Sequence, residues 1–289
     1  MASMRDIKRR KSSIQSTQQI TKAMKLVSTV KLQRTKQRAE QSKTYFEAMY
    51  KTVTSMLSKT GGLNHPYLKA GESSKKAVIV ITSNRGLAGG YNSNVIKLVT
   101  QGDFEKEEVV LYTIGKKGYD TFKRMGYNIA WDNAEMIEEP RYDEAMQLCK
   151  EILSGFSNGE FGEIYLAYTA FKNTISHEPK MIKLLPYEAD ETAEVAETSE
   201  EDDNVLMNFE PEDEEALNLI IPKYVTSLIF GGMVEAAASE NGARMQAMDS
   251  ATSNAEEMIS SLSLMYNRAR QGSITQELTE IVAGANAIS

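Results

Sequence analysis

Apolar residues in the first 58 positions recur at Ile7, Ile14, Ile20, Met24 and Val27, then at Leu32, Ala39, Phe46 and Val53, with Met49 and Met56 beside them. The steps of three, four and seven among them fit a seam on one face of a helix. The first 60 residues contain neither Gly nor Pro, so nothing interrupts a helix over 4–58. At ~1.5 Å per residue that rod is roughly 80 Å long, far beyond the usual three turns. Between Lys31 and Lys43 only Leu32 and Ala39 are apolar, so this stretch buries a thin seam and is expected to be exposed or sheathed by a polar partner.

The other end of the chain repeats the pattern. Glu210-Pro211 opens a helix whose first turn holds Glu212, Asp213, Glu214 and Glu215, acids well placed at a helix N-terminus. Pro222 is expected to kink it in its third turn. Its seam steps by three and four through Met245, Met248, Thr252, Ala255, Ile259, Leu262, Tyr266 and Ala269, then resumes one frame later at Ile274, Leu278, Ile281, Ala285 and Ile288. Such a slip resembles a stutter in a coiled coil. The alanines at 236, 237, 238, 243, 247, 251 and 255 would let a partner helix approach closely.

Between the rods the period changes. Gly61-Gly62 stops the first helix and His65-Pro66 marks a loop. Ala77–Thr82 is apolar on both faces, as in a central parallel strand. Ser83 to Asn92 is a turn and Asn94–Thr100 begins a helix. Strands at Glu108–Ile114, Tyr127–Trp131, Glu163–Phe171 and Met181–Leu185 alternate with helices at Lys116–Met125 and Tyr142–Phe156. Alternation of this kind predicts an α/β sheet with right-handed crossovers. The expected fold is α/β: a long antiparallel coiled coil of the N- and C-terminal helices plus a central Rossmann-like domain. Its parts are a helix over 1–60, the α/β domain over 75–187, an acidic linker over 188–210 and a helix over 211–289.

Charge sharpens this division. Residues 1–60 hold 14 Lys/Arg against three acids, a balance of +11, which leaves −18 for 61–289 to give the net −7. Glu188 to Glu215 holds 14 acids and no Lys or Arg. A basic arm suits nucleic acid, anionic lipid or an acidic protein surface. Nucleic acid is disfavoured by the missing aromatic interleaving before Tyr45 and by the acidic total. No run of 18 apolar residues occurs, and the basic start lacks an apolar stretch of the secretory kind. Lone Cys149 fits a small buried hydrophobe in a reducing compartment.

Candidate chemistry is sparse. The turn Ser83-Asn-Arg-Gly-Leu-Ala-Gly-Gly-Tyr-Asn92 sits where a dinucleotide fold holds a pyrophosphate. Its pattern is Gly86-x-x-Gly89-Gly90, without Gly-Lys-Ser/Thr and without an acid at the end of the second strand, so tight strand–helix packing is the favoured explanation. Two histidines, His65 and His177, and one cysteine cannot build a structural zinc site. Asp132, Glu135, Glu138 and Glu139 read as a solvated turn. No catalytic, cofactor or metal residue is expected. Arg244, Arg268, Arg270, Gln271 and Thr275 interrupt an otherwise small or apolar helix and fit a solvated face or a contact surface.

Three stretches resemble the gamma subunit of the F-type ATP synthase. They are Met4-Arg-Asp-Ile-Lys-Arg-Arg-Lys11 with its continuation Ser16 to Ser28, then Arg85-Gly-Leu-Ala-Gly-Gly-Tyr-Asn92, then Ser239-Glu-Asn-Gly-Ala-Arg-Met-Gln-Ala-Met248 with its continuation Tyr266 to Ile281. The resemblance implies a central-stalk rotor. Its terminal helices would form an antiparallel coiled coil inside a ring of three alpha and three beta subunits. Its α/β domain would rest on the c-ring and the epsilon subunit. Proton flow would turn the shaft and drive the beta subunits through their conformations, or ATP hydrolysis would pump protons.

The same resemblance implies beta-subunit contacts at Lys22, Met24 and Lys25, facing an acidic lever loop, and at Arg244, Arg270, Gln271 and Thr275, facing catch loops. It implies no catalytic group, no cofactor, no nucleic acid and no membrane insertion. The implied place is the cytoplasmic side of a bacterial cell membrane, peripherally bound; the missing transit peptide favours the bacterial type. The alternative reading is a nucleotide-binding α/β enzyme with long dimerisation helices.

Overall fold

The computed structural model describes residues 4–59, 65–69, 71, 73–102, 104–187 and 213–288. The expected helix stop at Gly61-Gly62 and the acidic linker over 188–210 lie outside the described residues. Helix α1 spans Met4–Lys59 and α5 spans Asp213–Ile288, the latter continuing through Pro222. Between them lie β1 (Lys76–Ile81), α2 (Tyr91–Thr100), β2 (Val109–Ile114), α3 (Lys116–Met125), β3 (Asn128–Asn133), α4 (Tyr142–Ser157), β4 (Glu163–Phe171) and β5 (His177–Leu185). The chain divides into two compact units, Met1–Val30 with Arg244–Ser289, and Lys31–Ala243.

The larger unit is built on one sheet of order β3-β2-β1-β4-β5. β1 to β4 run parallel and β5 returns antiparallel beside β4, pairing Phe171 with His177 and Ile164 with Leu185. β5 is four residues longer at its start than the apolar run Met181–Leu185 suggests, because its first half, His177 to Lys180, is an edge of mixed polarity. Central β1 is buried on both faces. Ile79 and Ile81 pack with Leu148 and Ile152 of α4, and Val78 and Val80 pack with Val95 and Val99 of α2. Each such side chain contributes about 1.5–3 kcal/mol by leaving water.

The first part of α5 covers one face of this sheet. Leu217, Ile221, Val225, Ile229, Met233 and Ala236 step by three and four and are all buried in the same core. Gly232 permits the close approach, since a Cβ there would lie 3.0 Å from Leu166 Cδ2. By length and composition α5 contains a window apolar enough to cross a bilayer, but 56% of that window is buried within the chain. Counting uninterrupted apolar runs does not register this window. Ala236, Ala237 and Ala238 are likewise buried in the α/β unit, which corrects their reading as a helix-pairing stripe.

His65 ties the entry to the sheet. Its Nδ1 accepts from Tyr67 N at 3.2 Å, and its Nε2 lies 3.2 Å from Asn218 Oδ1 on α5. Cys149 is buried, with its Sγ 3.5 Å from Pro222 O, and burial pushes its thiol up to about 11, the behaviour of an inert core residue.

Candidate functional site

In the smaller unit, residues 4–30 of α1 pair antiparallel with α5 from 244 to about 270. Gln18 Nε2 donates to Glu256 Oε1 at 2.9 Å, the Thr21 and Thr252 hydroxyls lie 2.8 Å apart, and Lys25 Nζ donates to Asp249 Oδ1 at 2.6 Å. Residue numbers rise on one helix as they fall on the other. On α5 the observed seam runs through Met245, Met248, Thr252, Ala255, Ile259, Leu262, Tyr266 and Ala269, as the spacing predicts.

On α1 the observed seam differs from the apolar pattern. Ile20 and Val27 are 60% and 57% exposed, while Thr21 and Ser28 are 8% and 3% exposed. A strict three-four alternation through Ile7, Ile14, Gln18, Thr21, Lys25 and Ser28 faces α5, and it selects small hydroxyl side chains over bulkier neighbours. Hydrophobicity alone therefore placed Ile20 and Val27 on the wrong face. Ile20 and Val27 instead point outward on the face that holds Met24, and Leu26 and Val30 are exposed further round the helix.

The second correction concerns the end of α5. Ile274, Leu278 and Ile281 are exposed, and Arg270 lies opposite the start of α1 by the register of the pair. Beyond it no described helix of this chain faces α5, so the frame slip near Arg270–Ser273 is no stutter within a pair. It marks where an intramolecular seam gives way to an unpaired apolar stripe.

All seven sequence-predicted contact residues fall in this unit. Lys22 is exposed, Met24 half-buried, and Lys25 engaged with Asp249. Arg244 is half-buried near the base of the pair. Arg270, Gln271 and Thr275 are exposed. Counting 21 residues from Asp249 to Arg270, the group Arg270, Gln271 and Thr275 sits roughly 30 Å along the helix from Lys25, while Arg244, five residues before Asp249, lies at the level of the first group. The residues make two belts rather than one site. The Lys25–Asp249 pair is solvent-accessible and contributes at most about 1 kcal/mol, so it orients more than it stabilises.

The glycine-rich turn is built differently. Ser83 N donates to Asn92 Oδ1 at 2.9 Å, Asn92 Nδ2 donates to Ser83 Oγ at 2.8 Å, and Asn84 Oδ1 accepts from Lys116 N at 3.0 Å. Tyr91, the first residue of α2, is buried and its hydroxyl donates to Ala236 O at 3.1 Å, which brings α5 over the end of the parallel strands. A Cβ on Gly86 would meet nothing within 4 Å, so packing does not explain that glycine. Gly89 has φ +58, a turn requirement. The close contacts belong elsewhere: Gly115 (φ +96) and Gly118 press against Thr82, whose hydroxyl accepts from Gly118 N at 2.8 Å.

A family model described as ATP synthase matches residues 3–288. The chain is 64% identical, over the whole of both sequences, to the ATP synthase gamma chain of Lachnoclostridium phytofermentans.

The chain belongs to the ATP synthase gamma family.

It is 44% identical to the sodium ion specific ATP synthase gamma chain of Acetobacterium woodii, over 99% of each. Among solved structures it superposes on a chain of the Euglena gracilis mitochondrial ATP synthase F1/c-ring assembly with a TM-score of 0.69, at 18% identity, covering 99% of this chain and 94% of that one. A chain of the Tetrahymena thermophila central stalk and c-ring gives a TM-score of 0.59 at 22% identity, covering 80% and 99%. The gamma fold thus extends across both units, and this chain is a subunit of an ATP synthase.

Proposed function

We propose that this gamma subunit is the non-catalytic shaft of the central stalk, turning inside three alpha and three beta subunits and coupling proton flow to ATP synthesis or hydrolysis. The observation that carries this reading is the surface of the helical pair. Ile20 and Val27 share a face of α1 with Met24 and point outward, Leu26 and Val30 are exposed further round the helix, and Lys22 and the Asp249-paired Lys25 add positive charge on the same turns. A surface of that kind suits an acidic protein loop with an apolar tip. Lys22, Met24 and Lys25 are assigned to the lever loop of beta, and Arg244, Arg270, Gln271 and Thr275 to its catch loops.

A shaft without reactive groups drives chemistry by differential binding. Each orientation must favour one beta conformation over another, and the shift it achieves equals that difference in affinity. An asymmetric rod with two belts roughly 30 Å apart presents different chemistry to each beta subunit in turn. The segments then divide the work: helices over 1–60 and 211–289 as shaft, the α/β domain over 75–187 as a base on the c-ring and epsilon, and an acidic linker over 188–210. The subunit would sit peripherally on the cytoplasmic side of a bacterial membrane.

The alternative, a nucleotide-binding enzyme, rests on the turn at Ser83–Asn92, whose polar groups are engaged by one another and by α3. Co-expression with alpha and beta tests the choice. Recovery of one copy per three alpha and three beta, with ATPase activity, supports the shaft. Stoichiometric micromolar nucleotide binding by the chain alone, without assembly, would reverse it.

A further inference from the structure

The hairpin joining β4 to β5 closes with Asn173, whose Oδ1 accepts from Ile175 N at 2.9 Å and Ser176 N at 2.7 Å. Directly below, His177 pairs with Phe171 across the strands, their rings 6.0 Å apart. Gly242 of α5 lies against the imidazole: a Cβ there would come within 2.5 Å of His177 Cε1 and 2.9 Å of Nε2. Only glycine leaves the ring its place. Both ring nitrogens are buried, and neither has a hydrogen-bond partner among the described residues. Buried polar atoms are nearly always paired, so this exception calls for a reason.

We propose that the His177–Gly242 contact is a proton-sensitive latch between the β4–β5 hairpin and α5, closed on a neutral imidazole and released when the ring takes its second proton.

The charges around it are of both signs, and none of them hydrogen-bonds the imidazole among the described residues. On the hairpin, Lys172 and Glu178 pair with each other, and Lys180 adds positive charge. On α5, the Glu235 carboxylate accepts from Phe171 N at 3.3 Å, and Glu240 and Arg244 lie two residues before and after Gly242. Burial holds the His177 pKa below the ordinary value of 6.5. The sign follows from linkage: a ring that favours its neutral form when docked binds its proton more tightly when undocked. Docking is therefore unaffected well above pH 6.5 and weakens as pH falls through that value. The released segment carries Ile175, 74% exposed at the tip.

Hydrogen exchange of residues 171–177 in the assembled complex reads the latch, corrected for intrinsic exchange and compared between wild type and His177→Gln. The inference does not depend on the rotor reading, because exchange follows the hairpin whatever the complex does. In wild type, protection should fall by up to about tenfold per pH unit below pH 6.5, and in His177→Gln it should stay level. Gly242→Ala should leave the hairpin unprotected at pH 7.5; if that variant does not assemble, the His177→Gln comparison decides alone. Equal loss in wild type and His177→Gln, no loss in either, or full protection in an assembled Gly242→Ala would overturn the latch.

Discussion

The Thr21 and Thr252 hydroxyls lie 2.8 Å apart in the seam of the helical pair, where a coiled coil ordinarily places aliphatic side chains. Each hydroxyl has one proton: the one that accepts across the seam donates within its own helix, Thr21 to Gln18 O at 3.0 Å or Thr252 to Met248 O at 2.7 Å. With Gln18–Glu256 on one side and Lys25–Asp249 on the other, the pair forms a polar ladder. Polar seam contacts fix register at a cost in stability, and register decides which α5 residues stand beside Met24.

Replacing one threonine by valine should therefore destabilise the pair by about 1 kcal/mol, because its partner loses a bond in a part-buried place. Thr21→Val with Thr252→Val should cost less than the sum of the two, or nothing. Thermal unfolding of the full chain in a double-mutant cycle measures the coupling. Additive losses would show that the hydroxyls do not interact.

Glycine substitutions should rank against the visual prominence of the glycine-rich turn. Gly115→Ala would drive a Cβ into Thr82 O at a positive φ, and should cost about 2–4 kcal/mol or prevent folding. Gly89→Val, at φ +58, should cost on the order of 1–3 kcal/mol. Gly86→Ala meets open space and should change stability by less than about 0.5 kcal/mol. Denaturant midpoints of the three variants give the order.

Much of the α/β unit is legible in the sequence because its signals are local. Ala77–Thr82 announces a buried parallel strand, and Glu163–Phe171 alternates over the span the structure assigns to β4. The α1 seam is less legible. Ile20 and Val27 are more apolar than Thr21 and Ser28, so a hydrophobicity count selects the wrong face. The strict three-four spacing, continued from Ile7 and Ile14, was the signal that would have found Thr21 and Ser28. The outward position of Ile20 and Val27 beside Met24 is hidden by the same count, which assigns all three to the seam.

Half-buried Glu235 gives a pH dependence of its own. Burial raises its pKa above the ordinary 4.5, opposed by its bond from Phe171 N and by Lys180. A carboxyl whose folded pKa is raised weakens the fold above that pKa, and the penalty is relieved as pH falls toward 4.5. Glu235→Gln, which keeps an acceptor for Phe171 N, should raise the melting temperature at pH 8 and lose that advantage near pH 4.5. Melting curves across this range check the sign.

The outward apolar residues should matter to the complex and not to the chain. Val27→Ser should leave the stability of the chain within about 0.5 kcal/mol of wild type, because the side chain is exposed. In the assembled enzyme it should reduce ATPase turnover or coupling. Met24→Lys should lower proton pumping per ATP in reconstituted vesicles. Unchanged pumping in both variants would remove the lever-loop assignment.

The central claim is rotation, and single-molecule observation tests it most directly. With the alpha and beta subunits immobilised and a bead attached through Asp120→Cys, an exposed position on α3, ATP should drive the bead in one direction, turn after turn. ATP turnover by the same complexes with a stationary or randomly fluctuating bead would contradict the account.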